Sequence, residues 1–172
     1  LLRESSETVP KVDEEIELCS LMDDLVEVVN YEVLQGNPGI MWNPAEPLKF
    51  LGDRELLWRA MENLLRNALR HTDPEKGVVL SLEQGRGKKS IHLSVRDFGP
   101  GVSEGELEKI FEPFYRVQES RDRGSGGHGL GLSIAANAVR RHGGTIQAGN
   151  ADGGGLIVRI SLPLNASQPG RG

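Results

Sequence analysis

Between Asp53 and Pro74 apolar residues recur at helical spacing, and no other feature of the chain restricts its fold as much. Leu57, Met61, Leu64, Leu65 and Ala68 form one stripe on a helix of 3.6 residues per turn. Gly52-Asp53 opens the helix, and Asp73-Pro74 ends it because a residue before proline avoids helical geometry. Such a stripe has to be covered by a second layer. The sequence supplies one directly: residues 78–83 and 90–97 alternate in the two-residue rhythm of strands, joined by the Gly85-Arg-Gly-Lys-Lys89 turn.

The remaining elements follow the same signals. Residues 1–14 are polar and hold Pro10, which predicts the end of an upstream helix and a linker. A short strand is expected at 15–18, then a helix from Ser20, as N-cap, to about Leu34. Short strands at 40–43 and 48–51 are separated by Pro44 and Pro47. From Gly99 to Gly131 glycines and charges dominate, with one aromatic cluster, Phe111-Glu-Pro-Phe-Tyr115, and a short helix at 104–110. A segment of that length is more often a functional lid than an inert connection. A helix at 130–141, stopped by Gly143-Gly144, precedes strands at 145–148 and 156–162 and a disordered tail at 165–172. Together these give an α+β, two-layer sandwich of one sheet and one helical layer.

Composition narrows the function classes. With 172 residues, 37% hydrophobic and 26% charged, the chain suits one soluble domain with a core. Its net charge of −5 offers no global field for nucleic acid, and no run is apolar enough to span a membrane. Cys19 stands alone, which excludes an internal disulfide and suits a reducing compartment. The opening Leu1-Leu2-Arg3, with no initiator Met, reads as part of something longer.

On the helix already described, Asn63, Asn67, Arg70 and His71 fall on one side, since steps of four residues advance only ~40°. Two asparagines mid-helix weaken it locally. Amide oxygens suit a hard cation that already carries phosphate charge. Asp97-Phe-Gly-Pro-Gly101 follows a strand, so its carboxylate stands at the strand's mouth, where it can accept from an exocyclic amine; the same five residues also make an ordinary turn. Gly127-His-Gly-Leu-Gly-Leu132 runs into a helix and can cradle phosphate with backbone N–H groups, though it fits neither the Walker nor the Rossmann spacing. Arg116, Arg121 and Arg123 can meet phosphates, or belong to a solvated basic loop. His71, His92, His128 and His142 lack metal-ligand spacing; His142 is expected to cap a helix end and His92 to sit in a strand, while Trp42 and Trp58 look like packing residues.

In this order the pieces resemble the catalytic and ATP-binding domain of bacterial sensor histidine kinases, with the Bergerat fold shared by gyrase, Hsp90 and MutL. Asn63-Leu-Leu-Arg-Asn67 resembles the N box, Asp97-Phe-Gly-Pro-Gly101 the G1 box, Phe111-Glu-Pro-Phe114 the F box and Gly127-His-Gly-Leu-Gly131 the G2 box. The resemblance covers roughly residues 15–163. It implies a mixed, mostly antiparallel sheet of about five strands on about three helices, an ATP-binding domain at 15–164, and a long flexible ATP lid at about 102–128 anchored by Phe111 and Phe114. It further implies that Asn67 coordinates Mg²⁺, that Asp97 binds the adenine amine, and that Arg70 and Arg116 contact phosphates. His71 would lie against the base. Gly99, Gly101, Val102, Phe111, Phe114, Tyr115, Gly127, His128, Gly129, Leu130, Gly131 and Leu132 would border the nucleotide, and catalysis would fall to Asn63, Asn67, Arg70 and Arg116.

The implied reaction is transfer of the γ-phosphate of Mg-ATP to a histidine on a separate dimerisation domain, absent from these residues, with a response regulator downstream. The parent would be a homodimer in the bacterial inner membrane, with this domain on the cytoplasmic side. Asn63 stands where hydrolytic relatives carry a glutamate, and an amide cannot deprotonate water. Glu62 is turned ~100° away on the helix. Two departures from the family pattern stand out: His128, where a small hydroxyl residue is common, and Leu156 after Gly155, where Thr is common. A superfamily ATPase and a catalytically silent nucleotide-binding module remain the alternative functions.

Overall fold

The computed structural model describes residues 13–33, 37–43, 46–117 and 129–164. Its central element is α2 (Arg54–His71). Asp53 caps it, with Oδ1 accepting the Leu56 N–H at 3.0 Å, while Glu55 in the first turn and Arg70 and His71 in the last complement the helix dipole. The stripe read from the sequence is the buried face, and Leu57, Met61 and Leu65 are fully buried. Each contributes roughly 1.5–3 kcal/mol of transfer free energy before the cost of ordering the chain.

α1 (Leu18–Tyr31) starts earlier than expected, and Ser20 is not its N-cap. Glu17 takes that place because a two-oxygen carboxylate serves several donors at once: the N–H groups of Cys19 (3.0 Å), Ser20 (2.8 Å) and Leu48 (3.2 Å), and the Ser20 hydroxyl (2.6 Å). The Ser20 hydroxyl first, then these backbone donors, hold the Glu17 carboxyl down at about 2 against the opposing effect of burial. α3 (Gly131–Arg141) packs on α2 and buries Ala135, Ala138 and Val139.

The strands are β1 (Glu14–Glu17), β2 (Ile40–Trp42), β3 (Lys49–Gly52), β4 (Val78–Gln84), β5 (Ser90–Arg96), β6 (Thr145–Asn150) and β7 (Leu156–Pro163). β2, β4, β5, β7 and β6 form the main sheet in that order, with β2 parallel to β4 and every other pair antiparallel. β1 and β3 make a separate antiparallel ribbon rather than joining the sheet. One face of the sheet, including Leu80, Leu82, Ile91, Leu93, Val158 and Ile160, is buried with the helices in one core.

The short helix expected at 104–110 is two single 3₁₀ turns, Glu104–Glu106 and Lys109–Phe111. Neither has a side-chain cap, and the Ser103 hydroxyl that could have supplied one is bonded to the Glu106 carboxylate instead. Trp58 is half-buried against the core, whereas Trp42 also donates its indole N–H to Asp23 at 2.7 Å. The linker to residue 12, the expected helix end near Leu34 and the tail from residue 165 lie outside the described residues.

Candidate functional site

α2, the start of α3, the mouths of β5 and β7 and the segment 100–117 enclose a cleft of about 500 Å³. α2 lends it Asn63, Arg66, Asn67, Arg70 and His71, which recur at helical intervals on one face. The protein engages these side chains unequally. Asn63 donates its amide N–H to the Arg59 carbonyl at 2.7 Å. Arg66 is clamped between two carboxylates: both terminal nitrogens meet Glu32, and Nε donates to Glu62 at 3.0 Å. Asn67 and Arg70 carry no hydrogen bond or ion pair among the described residues. One amide and one guanidinium therefore face the cleft with their bonding capacity unused.

Asp97 forms the opposite end. It is buried, and its Oδ1 accepts from the N–H groups of Gly99 at 2.9 Å and Leu156 at 3.0 Å. That fixes the carboxylate and leaves Oδ2 to the cleft. Buried Thr72, one residue past α2, accepts the Phe98 N–H at 3.0 Å and donates to the Gly77 carbonyl at 2.5 Å, tying the loop after β5 to the helix end. The approach is close enough to require glycine twice. A Cβ on Gly99 would stand 2.1 Å from the His71 carbonyl oxygen, and one on Gly155, at φ +93°, 2.0 Å from that of Asp97.

His71 is reachable by solvent at the mouth of the cleft, yet protein crowds its other sides. Loss of solvent there pushes its pKa below the ordinary 6.5; Asp97 opposes the shift and Arg70 adds to it. The shift favours the neutral ring. Pro100, Val102, Ile110, Leu132, Ile134 and Leu156 add apolar wall. Asn150 at the end of β6 secures the loop, accepting the Val102 N–H at 2.9 Å and donating to the Val102 carbonyl at 2.7 Å and to Glu104 at 3.1 Å.

Of the residues expected from the sequence, Asn63, Asn67, Arg70, His71, Asp97, Gly101, Val102, Tyr115, Arg116, Gly129, Leu130, Gly131 and Leu132 line this cleft. Gly99, Phe111 and Phe114 do not line it. Phe111 packs against the core, whereas Phe114 is 73% exposed and, among the described residues, is held by its backbone N–H, which donates to the Gly129 carbonyl at 2.9 Å. Gly127 and His128, with Arg121 and Arg123, lie outside the described residues. Arg66 escaped the sequence reading although it shares the helical face of Asn63 and Asn67. Thr72 and Asn150 act through contacts distant in sequence, which no local pattern announces.

Among the described residues no group of three or more His, Cys, Asp or Glu side chains gathers to hold a metal. No helix among them is long and apolar enough to cross a membrane.

Residues 52–166 match the family described as histidine kinase-, DNA gyrase B-, and HSP90-like ATPase. The chain is 43% identical over 119 residues to the signal transduction histidine-protein kinase BaeS of Escherichia coli K12, covering 69% of this chain and 25% of BaeS. It is 40% identical over 156 residues to the sensor histidine kinase CpxA of the same organism, covering 89% of this chain and 33% of CpxA. It thus spans a quarter to a third of the length of these relatives. Among solved structures, the mycobacterial sensor histidine kinase MprB superposes with a TM-score of 0.74 at 28% identity, over 88% of this chain and 97% of that one. Full-length ShkA, in complex with AMPPNP, gives 0.75 at 27% identity, over 90% of this chain and 32% of ShkA.

Proposed function

Because the chain belongs to the histidine kinase-, DNA gyrase B- and HSP90-like ATPases, a family whose fold binds ATP, we propose that its cleft takes Mg-ATP for phosphotransfer to histidine. The acceptor is a histidine on a dimerisation domain of the whole protein, a sensor kinase that passes the phosphoryl group to a response regulator. The parent is a homodimer anchored in the bacterial inner membrane, with residues 15–164 as the cytoplasmic ATP-binding domain.

One observation carries this function: among the described residues Asn67 and Arg70 have no side-chain partner while their neighbours on the same helix face do. A side-chain amide and a cation held ready on α2, with the fixed Asp97 carboxylate at the far end, match a ligand that is polyanionic at one end and bears an amine at the other. Asp97 Oδ2 accepts from the exocyclic amine of adenine, and the carbonyl of guanine in its place would face an acceptor. The neutral His71 ring lies flat against the base. Arg70 and Arg116 neutralise phosphate oxygens, and the N–H groups of Gly129–Gly131 at the start of α3 cradle them. Asn67 would supply an amide oxygen for Mg²⁺, which fits a cation that arrives with the phosphates, since the described residues gather no acidic cluster to hold it alone. Held by Asn67 and the phosphates, Mg²⁺ would supply positive charge beside the transferring phosphoryl group.

Transfer to histidine is favoured over hydrolysis. A neutral imidazole attacks through its own lone pair, whereas water has to lose a proton as it attacks. Asn63 offers no base, and the neighbouring carboxylate of Glu62 is engaged by Arg66 and lies outside the cleft lining. The test is radiolabel transfer from ATP to the parent's helical acceptor domain supplied in trans. Labelling supports the kinase, steady phosphate release from this chain alone supports a hydrolase, and nucleotide binding with neither supports a silent module.

A further inference from the structure

Glu106 stands outside the cleft lining, bonded to two side chains of the segment that borders it. Its Oε1 accepts the phenol O–H of Tyr115 at 2.6 Å, and its Oε2 accepts the hydroxyl of Ser103. Tyr115 lines the cleft beside Ile110 and Arg116. One carboxylate therefore ties residue 103 to residue 115 and closes the intervening chain into a loop. Both ends of that loop are fastened elsewhere: Asn150 binds Val102 and Glu104, and the Phe114 N–H binds the Gly129 carbonyl. Within 102–115, the segment expected to act as a flexible lid is a braced collar.

We propose that Glu106 is a positioning residue for nucleotide binding, holding the Tyr115 ring on the cleft wall and fixing where Arg116 enters it. This role rests on the nucleotide-binding function above. An ionised acceptor and a phenol O–H make a strong, short hydrogen bond. A ring held in advance loses no rotamer freedom when ligand docks, so the tie raises affinity without touching the ligand. The tie also has a signature of its own. Deprotonating Tyr115 would set a phenolate against the carboxylate, so the hydrogen bond to Glu106 first, then loss of solvent and the charges of Glu106 and Glu112, raise the phenol above its ordinary 10.

The chain has two tyrosines, and Tyr31 is 92% exposed, so a Tyr31→Phe background isolates Tyr115 in an ultraviolet phenolate titration. The expected midpoint lies above that of a free phenol and falls towards it in Glu106→Ala, with loss of solvent and Glu112 keeping part of the shift. In calorimetry the Kd for Mg-ATP rises about three- to tenfold in Glu106→Ala, the cost of ordering one side chain on binding. Glu106→Gln, which keeps an acceptor oxygen for the phenol, recovers most of that loss. Tyr115→Phe weakens binding alone, and adding Glu106→Ala to it changes nothing further. Unchanged affinity in Glu106→Ala, or full additivity with Tyr115→Phe, overturns the role while leaving the nucleotide site intact. A parent chain that binds no Mg-ATP overturns the function first and this role with it.

Discussion

The imidazole of His142 accepts the backbone N–H of Asp53 at 3.0 Å, joining the end of α3 to the start of α2 across 89 positions of sequence. Its other nitrogen lies 2.7 Å from the Ala138 carbonyl, an acceptor only, so the ring is neutral with its proton on Nδ1. One ring thus satisfies a donor at one helix start and an acceptor at another helix end, with the Phe50 ring tilted against it at 5.6 Å.

That bridge sets the first prediction. His142→Ala leaves the Asp53 N–H without its partner and the Ala138 carbonyl with only the backbone N–H of residue 142, and should lower unfolding stability by about 1–3 kcal/mol. Gly52→Ala should act at the same place, since an added Cβ would stand 2.7 Å from the imidazole Cδ2. Thermal denaturation measures both. A double variant no worse than the more damaging single one would show that they disrupt the same contact.

The second prediction separates two arginines on one helix. Arg70→Ala should weaken Mg-ATP binding by about ten- to a hundredfold, because a charged hydrogen bond to phosphate is lost. Arg66→Ala should cost binding less than about fivefold and stability at most about 1 kcal/mol, since its ion pairs with Glu32 and Glu62 are partly exposed to solvent. Calorimetric titration with ATP and magnesium distinguishes the two. Equal losses would mean that Arg66 leaves its carboxylates for the ligand.

The third prediction concerns the base. Asp97→Asn can keep Oδ1 as acceptor for Gly99 and Leu156, so the loop should stay in place. It turns the group facing the cleft into an amide donor, which repels an amine and welcomes a carbonyl. Preference for adenine over guanine nucleotides should fall by about a hundredfold or more. Competition of ATP and GTP for the variant measures it.

The sequence exposed what local chemistry decides. α2 was legible because its cap at Asp53, its apolar stripe and its stop before Pro74 are all set by near neighbours. His142 stands at a helix end in sequence as in structure, but its reach to Asp53 has no local signal. Glu17 displaced Ser20 as a cap because Leu48, 31 residues away, adds a donor that no local pattern contains. Thr72 with Phe98 and Asn150 with Val102 are likewise side-chain-to-backbone bonds between distant segments. Pairing of β1 with β3, and of β2 in parallel with β4, joins segments about 35 residues apart, which strand propensity alone does not specify.

Glu17 gives the fourth prediction, in acid. Its carboxyl sits at about 2 in the folded chain against an ordinary 4.5, so the folded state binds this proton less readily than the unfolded one. The stabilisation is therefore full above pH 4.5 and is lost as pH falls towards 2. Glu17→Ala should cost about 1 kcal/mol at neutral pH, the usual value of a helix N-cap, since solvent screens much of the larger figure that the shift alone would imply. The gap between variant and parent should then narrow through that acid window. Glu32, also held low by Arg66, contributes to the slope of both proteins and cancels in the difference. Urea denaturation at a series of pH values reads it directly; a gap that stays constant down to pH 2 would assign the loss to packing rather than to the carboxylate cap.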